Sequence, residues 1–329
     1  MSFALSTQAE EIQLFLDHQA WLEPDERVES AERAGEGNMN RTVRVRTDRR
    51  SFILKQSYPY CAKFPDIPAP IERIAIEVEF YRIARRSEIL AEHMPEILSF
   101  APTDHLAMIE DLGAGSDLLS LYAGDRLGQG ELALLCRLAE ALHALPLSPR
   151  ERASLRNQEM RSLNQEHIFD IPLRRQNGLD LESLTPGLQA IADELKRDVP
   201  YRQAIGELGR IYTSASGPAL LHGDYYPGSI LRTGRGLSII DPEFAFPGPP
   251  EFDLGVLVAH LVFAGGQGPA VVESVLEAYR PAIDRRSVEA FAAAELMRRT
   301  LGVSQLPLEA DLETKRAWLE QSRAWAVPH

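Results

Sequence analysis

Leu220-Leu221-His222-Gly223-Asp224-Tyr225-Tyr226-Pro227-Gly228-Ser229-Ile230-Leu231, followed by Ile239-Ile240-Asp241-Pro242-Glu243, decides how this chain is read. An apolar run ends at Asp224 and a tight turn follows. A second apolar run ends at Asp241 and Glu243. Two strand-like runs are therefore expected to deliver three carboxylates to one end of a hairpin. Carboxylates held together repel one another unless a cation sits among them. A hard cation such as Mg²⁺ takes oxygen ligands and commonly also holds substrate phosphates. A base Asp beside a metal-binding Asp is the arrangement of kinase-type phosphoryl transfer.

The rest of the composition is compatible with that chemistry. The chain has 329 residues, which allows one to three domains, and two is the natural expectation. Apolar residues make up 44% and charged residues 25%, an ordinary soluble balance. The formal charge of -13 disfavours nucleic acid and anionic membranes as partners. No apolar run approaches the roughly 20 residues a membrane span needs. Met1–Glu11 lacks the basic start and apolar core of a signal peptide. Cys61 and Cys136 are the only cysteines, too few for a disulfide framework or a zinc quartet, so two reduced thiols in a cytoplasmic protein are expected.

Along the chain, Thr7-Gln8-Ala9-Glu10 reads as a capping box opening a helix through Ile12, Phe15, Leu16 and Trp21. Thr42–Arg46 alternates as a half-buried strand, Asp48-Arg49-Arg50 turns, and Ser51–Lys55 returns as a second strand. Pro59, Pro65, Pro68 and Pro70 mark a loop. A helix over about 71–86 is apolar on two sides, through Ile74, Val78 and Tyr81 and through Ile76, Phe80 and Ile83. Leu106–Ile109 reads as another strand. Leu132, Leu135, Leu138, Leu142 and Leu145 give a long amphipathic helix, and helical pattern resumes from Asp253. Strands thus cluster early and helices late. The expected fold is α+β and two-lobed: a small β-rich lobe over 1–110 and a larger, mainly helical lobe over 111–329.

His222-Gly223-Asp224 with the acidic pair downstream resembles the aminoglycoside phosphotransferase and choline kinase superfamily. Gly228-Ser229-Ile230 and Asp241-Pro242-Glu243-Phe244-Ala245-Phe246 resemble its 5-methylthioribose kinase branch, which uses an Asp-x-Glu metal motif. The resemblance implies a bilobal, protein-kinase-like fold and an ATP- and Mg²⁺-dependent kinase. The acceptor would be the anomeric hydroxyl of 5-methylthioribose or a close pentose analogue, a step of methionine salvage. It also suggests a homodimer.

The site residues follow from both readings. Asp224 is the expected general base. Asp241 and Glu243 are the expected Mg²⁺ ligands, on one face of a strand if the strand is regular. Ser229 stands where the superfamily has Asn, and a hydroxyl can still join the metal shell. His222 and Asp253 are read as structural, Asp253 as the N-cap of the next helix. Gly35-Glu36-Gly37-Asn38-Met39-Asn40 is a turn whose backbone can approach phosphates. It resembles the family's Gly-x-Gly-Asn-x-Asn nucleotide loop, with Gly35, Gly37, Asn38 and Asn40 as its contacts. Lys55 at a strand end would hold the α/β-phosphates and pair with a helix Glu. Glu77 lies nearer the Ile74–Val78–Tyr81 face than Glu79 and is the expected partner. Met108, Glu110 and Leu112 resemble the hinge whose main chain binds adenine. Arg298 and Arg299 resemble a paired Arg that binds sugar hydroxyls. Tyr225 and Tyr226, beside the base, replace other family residues and would shape the acceptor pocket, with Tyr225 expected to meet the substrate.

Three other readings compete. A kinase for a choline-like or aminoglycoside cation would use the net charge of -13, and acidic residues lining the pocket would favour it. A nucleotide-binding pseudokinase would serve as an interaction module, against which stands the presence of every catalytic acid. A metal hydrolase built on His222, Asp224, Asp241 and Glu243 leaves the Gly loop and Lys55 unexplained.

Overall fold

A computed structural model describes residues 3–35, 39–214, 217–303, 305, 306 and 308–327. Its strands are β1 Val28–Arg33, β2 Arg41–Thr47, β3 Ser51–Gln56, β4 Tyr60–Cys61, β5 Phe64–Pro68, β6 Ile97–Ala101, β7 Leu106–Glu110, β8 Gly115–Asp117, β9 Ala219–Leu221, β10 Ile230–Thr233, β11 Gly236–Ile239 and β12 Phe246–Gly248. Its helices are α1 Ala9–His18, α2 Arg73–Ala84, α3 Glu88–Glu92, α4 Glu131–His143, α5 Pro149–Ser154, α6 Gln158–Gln165, α7 Leu181–Leu184, α8 Leu188–Arg197, α9 Val199–Ser214, α10 Glu251–Phe263, α11 Gly268–Ala278, α12 Arg285–Leu301 and α13 Leu312–Ala326.

Five antiparallel strands form one sheet in the order β1-β2-β3-β7-β6. Strand side chains alternate between faces, and each face is covered. Val43, Val45, Phe52 and Leu54 pack with Leu5, Ile12 and Leu16 of the N-terminal segment and α1. Ile53, Ala107 and Ile109 pack with Ile74 and Val78 of α2. Period two therefore turns Lys55, like Ile53, towards α2. The two apolar sides of α2 have separate uses. Ile74 and Val78 meet the sheet, whereas Phe80, Tyr81, Ile83 and Ala84 join the core of the C-terminal half with Leu220, Ile230 and Ile239.

Beyond residue 110 the chain is mostly helical, and α10, α12 and α13 pack on one another. Cys61 and Cys136 are free and buried. Among the described residues no helix is long and apolar enough to cross a membrane.

Several expectations change. The fold has β1, which carries little apolar pattern, and β6 besides the expected strands. The proline-rich loop contains the β4–β5 hairpin. Thr7 caps nothing: α1 starts at Ala9 after Gln8, with no side-chain cap. The two apolar runs around Asp224 and Asp241 do not form one acidic hairpin. The first ends in β9, which pairs with β12, while the second is β11, which pairs with β10 and through it with β8.

Candidate active site

Asp224 follows β9 on a loop tied at several points. Asp253 Oδ2 accepts from the His222 N–H at 2.7 Å, and its Oδ1 accepts from the Gly223 N–H at 3.0 Å. Asp253 sits in the first turn of α10, whose N-cap is Pro250, so its carboxylate clamps the loop instead of capping the helix as expected. His222 Nε2 donates to the Ile240 carbonyl at 2.9 Å, which leaves Nδ1 to accept from the Asp224 N–H at 3.3 Å. One imidazole therefore joins the loop bearing Asp224 to the residue before Asp241. Gly223 has φ +83°, and a Cβ there would lie 2.2 Å from the Phe244 carbonyl oxygen, so only glycine fits.

Asp241 is not on a regular strand. It has φ 62°, ψ 48°, and Pro242–Phe244 form a 3₁₀ turn after it. The left-handed residue ends the strand pattern, so the even spacing no longer sets one face for Asp241 and Glu243. The Tyr81 hydroxyl accepts from the Asp241 N–H at 3.1 Å.

The three carboxylates are each neutralised by side-chain cations of the protein. Lys55 Nζ donates to Asp241 Oδ1 at 2.6 Å and to Glu77 Oε1 at 2.9 Å. Glu77 is therefore the partner, as the helix register implied. Burial works against the Lys55 charge, but Asp241, Glu77 and Glu243 more than offset it and raise its pKa. Glu243 Oε2 lies 3.2 Å from Arg73 Nε and accepts from Asn40 Nδ2 at 2.9 Å. Arg73 is fully buried and also donates to the carbonyls of Tyr58, Pro70 and Met39 at 2.6–2.8 Å. Asp224 Oδ1 receives Arg298 Nη2 at 3.2 Å and Arg299 Nη2 at 3.3 Å. The repulsion foreseen among the acids is thus relieved by four basic side chains. Among the described residues no group of three or more His, Cys, Asp or Glu side chains stands ready for a metal ion.

The remaining predicted positions fall as follows. Gly35 has φ +72°, while Gly37 and Asn38 lie outside the described residues. Ser229 is 3% exposed in the turn before β10, and its carbonyl accepts from the Ile240 N–H at 2.9 Å. Met108 is buried in the core beneath α1. Glu110 gives its N–H to the Glu96 carbonyl at 2.8 Å and pairs with Arg235. Leu112 is half-buried just beyond β7. Tyr225 does not face the site. It is fully buried, with its hydroxyl donating to the Leu135 carbonyl at 2.9 Å, because the tight turn sends consecutive side chains apart. Tyr226 is the residue at the site: the Arg299 guanidinium lies 4.9 Å above its ring.

Sequence reasoning missed Arg73, Glu295, His260 and Tyr122. Glu295 is 1% exposed and accepts from Arg298 Nε, from Arg298 Nη2 at 3.0 Å and from Arg299 Nε at 2.8 Å. Its spacing of three and four residues from the two arginines on α12 was the available signal. Burial works against the Glu295 charge, but both guanidinia more than offset it and hold the carboxyl well below its ordinary range. Arg299 also lines a 350 Å³ cavity with Leu184, Thr300, Leu306, Lys315 and Trp318.

Comparison with known proteins accords with this fold. The chain is similar to a methylthioribose kinase of Exiguobacterium sibiricum, with 28% identity over 248 residues covering 71% of this chain and 61% of the relative. It is similar to a methylthioribose kinase of Bacillus mycoides at 26% identity over 245 residues, covering 69% and 59%. The chain thus spans about three fifths of the length of these curated relatives. Its fold is shared with the spectinomycin phosphotransferase solved with ADP and spectinomycin, at TM-score 0.57 and 14% identity over 98% of each chain. Residues 30–291, which hold Lys55, Asp224, Asp241 and Glu243, match the model of the phosphotransferase enzyme family, and the chain belongs to that family.

Proposed function

We propose that this protein is an ATP-dependent kinase that transfers the γ-phosphate to a hydroxyl of a small sugar, 5-methylthioribose or a close pentose analogue, at the anomeric position. The observation that carries the reading is a linked set: Lys55 binds Asp241, His222 ties the loop bearing Asp224 to the residue before Asp241, and Arg298 and Arg299 both reach the Asp224 carboxylate. Phosphoryl transfer asks mainly for positioning and for charge stabilisation. Asp224 orients the acceptor hydroxyl and takes its proton. Lys55, fixed by Glu77, meets the phosphates. The Leu112 N–H, bonded to no described protein group, is the donor assigned to the adenine, just past β7. The chain passes from the nucleotide lobe to the acceptor lobe at about residue 110.

The acids suit Mg²⁺. Asp241 and Glu243 each give one oxygen to a basic side chain, and the second oxygen of each has no partner among the described side chains. One or two carboxylates completed by water and substrate phosphates is the usual set for this ion. When bound, the ion supplies charge neutralisation at the phosphates. Asp241, whose side chain is 43% exposed, is the principal ligand, with Glu243 behind it and Ser229 nearby.

Support for a sugar over a cationic acceptor comes from the lining of the acceptor side. Arg299 and Lys315 line the cavity beside α12, with Glu309 the one acid among the described lining residues. A cationic acceptor would meet two positive charges there. With ATP as donor and two reduced thiols, we place the enzyme in the cytoplasm and expect small-molecule ligands and a homodimer. The test is an ATP-consumption screen over methylthioribose, 5-deoxyribose, ribose, choline, homoserine and kanamycin. Selective turnover of a pentose supports the reading, and turnover of choline or kanamycin alone overturns it.

A further inference from the structure

Helix α10 is apolar over Leu254–Phe263 except for His260, and His260 is fully buried. Its Nε2 lies 2.9 Å from Glu295 Oε1, and its Nδ1 meets the Tyr122 hydroxyl. Glu295 takes the Nε edges of Arg298 and Arg299, whose Nη2 groups reach Asp224. A continuous chain of contacts, buried from His260 to the arginine pair, therefore runs from Tyr122 through His260, Glu295 and the two arginines to Asp224. We propose that Glu295, locked in place by the Tyr122–His260 pair, is the positioning residue that holds both guanidinia at Asp224 and keeps that carboxylate open to an acceptor hydroxyl. This rests on reading Asp224 as the site of phosphoryl transfer.

Charge balance gives the first reason. Two guanidinia converge on one oxygen of Asp224 and repel each other. With Asp224 as their only counterion they would hold its carboxylate in a tight pair and compete with the acceptor. Glu295 supplies the second negative charge, at Nε of both arginines and also at Nη2 of Arg298, so two cations face two anions. Fixed geometry is the second reason. An arginine anchored through Nε keeps its Nη groups aimed in one direction, towards Asp224 and the cavity that Arg299 lines.

The histidine completes the device. Burial pushes the His260 pKa down to about 4, so the ring is neutral at physiological pH and adds no third positive charge. A neutral ring has one N–H, which must sit on Nε2 to face the Glu295 carboxylate. Nδ1 is then the acceptor, and the Tyr122 O–H donates to it. The opposite tautomer would set an Nε2 lone pair against a carboxylate oxygen. Tyr122 thus selects the tautomer that grips Glu295.

Two variants test this. Glu295→Gln keeps the shape but removes the charge. Tyr122→Phe keeps the ring and loses only the hydroxyl, so it retains the fold should the first variant fail to. Each is compared with the wild type by thermal melting, ADP binding, steady-state kinetics with ATP and methylthioribose, and ¹⁵N NMR of the His260 ring and the Arg298 and Arg299 Nε–H groups. Tyr122→Phe is expected to melt and bind ADP as the wild type does. Its His260 signals shift from one tautomer to a mixture, and its arginine Nε–H signals move. Its kcat/KM for the acceptor falls about tenfold, the effect of one hydrogen bond lost, with KM for ATP unchanged. Glu295→Gln should show the larger loss with the same split. Unmoved arginine signals in Tyr122→Phe overturn the proposal whatever the acceptor, as does unchanged acceptor kinetics where the wild type turns the acceptor over. Arginine signals that move, while the wild type turns over no acceptor in the screen, uphold the positioning array and sink the phosphotransfer reading instead.

Discussion

Lys55 and Asp241 stand 186 positions apart in the chain and 2.6 Å apart in the fold. The contact joins the middle strand of the sheet to the turn after β11. Since Lys55 also holds Glu77 of α2, one ammonium gathers three elements at the place where phosphates are proposed to bind. The two proposed metal ligands differ in how deeply they enter this network, and that difference can be measured.

Asp241→Ala and Glu243→Ala should both abolish Mg²⁺-dependent ATP turnover, but only one should weaken the fold. The Asp241 side chain is 43% exposed, and Lys55 keeps Glu77 when it is lost, so melting stays near wild type. Glu243 is the carboxylate beside the fully buried Arg73. Removing it leaves a buried charge uncompensated, at a cost of about 3–5 kcal/mol. Activity that persists in excess EDTA, or equal melting of the two variants, contradicts this assignment.

Asp224→Asn should fold and bind ADP normally while losing roughly 10²–10⁴-fold in kcat, the usual effect of removing a positioned base. The amide keeps a hydrogen-bonding oxygen for Arg298 and Arg299 and Glu295 still faces both, so any stability loss should be smaller than that of Glu243→Ala. Near-wild-type turnover on any good acceptor would remove Asp224 from the role.

Arg298→Ala and Arg299→Ala separate the acceptor classes. Losing one Arg–acceptor contact should cost about 1.5–3 kcal/mol, the range for hydrogen bonds to charged groups. With a sugar acceptor this appears as a higher KM for the sugar or a lower kcat, while KM for ATP holds. With a cationic acceptor, removing positive charge should improve turnover. Steady-state kinetics with each acceptor distinguishes the two.

His260 predicts an acid-sensitive fold. Its ordinary pKa of 6.5 falls to about 4 in the folded state, chiefly through burial. The unfolded chain therefore binds this proton first as pH falls. The stability tied to the neutral ring is complete above about pH 6.5 and is lost progressively towards pH 4, at roughly 1.4 kcal/mol per pH unit inside that window. Urea melts across pH 4–8 should show the decline in the wild type and a smaller one in His260→Gln. Parallel curves for the two proteins would mean that His260 is not the titrating group.

How much of this was legible in the sequence depends on the range of the signal. The β2–β3 turn, α2 and α4 follow from periods of 2 and 3.6, which fix which side chains share a face; that Lys55 pairs with a helix Glu came from the kinase arrangement, and the period of α2 only chose Glu77 over Glu79. The loop with Asp224 was legible as an apolar run broken by His-Gly-Asp. Strand β1, Val-Glu-Ser-Ala-Glu-Arg, was not, because its side chains are half-buried or exposed and leave no apolar alternation. Nor was the pairing of β9 with β12, which is set by packing between distant segments. Arg73 near Glu243 and Arg298 near Asp224 are contacts between elements with no common period. Asp241 departs from its strand through a left-handed residue that sequence spacing does not reveal. The direction of Tyr225 was misjudged for the same reason: a turn, unlike a strand or helix, sets no fixed period for where successive side chains point.

The pairing of every site carboxylate with a resident cation bears on when the enzyme does its structural work. Lys55, Arg73, Arg298 and Arg299 already stand where anionic charge gathers. The nucleotide proposed to bind there would meet dipoles and charges oriented during folding, with little solvent or side-chain reorganisation left for the moment of reaction. The same balance frees the fold from the proposed Mg²⁺: chelation should stop turnover and leave the melting temperature where it was.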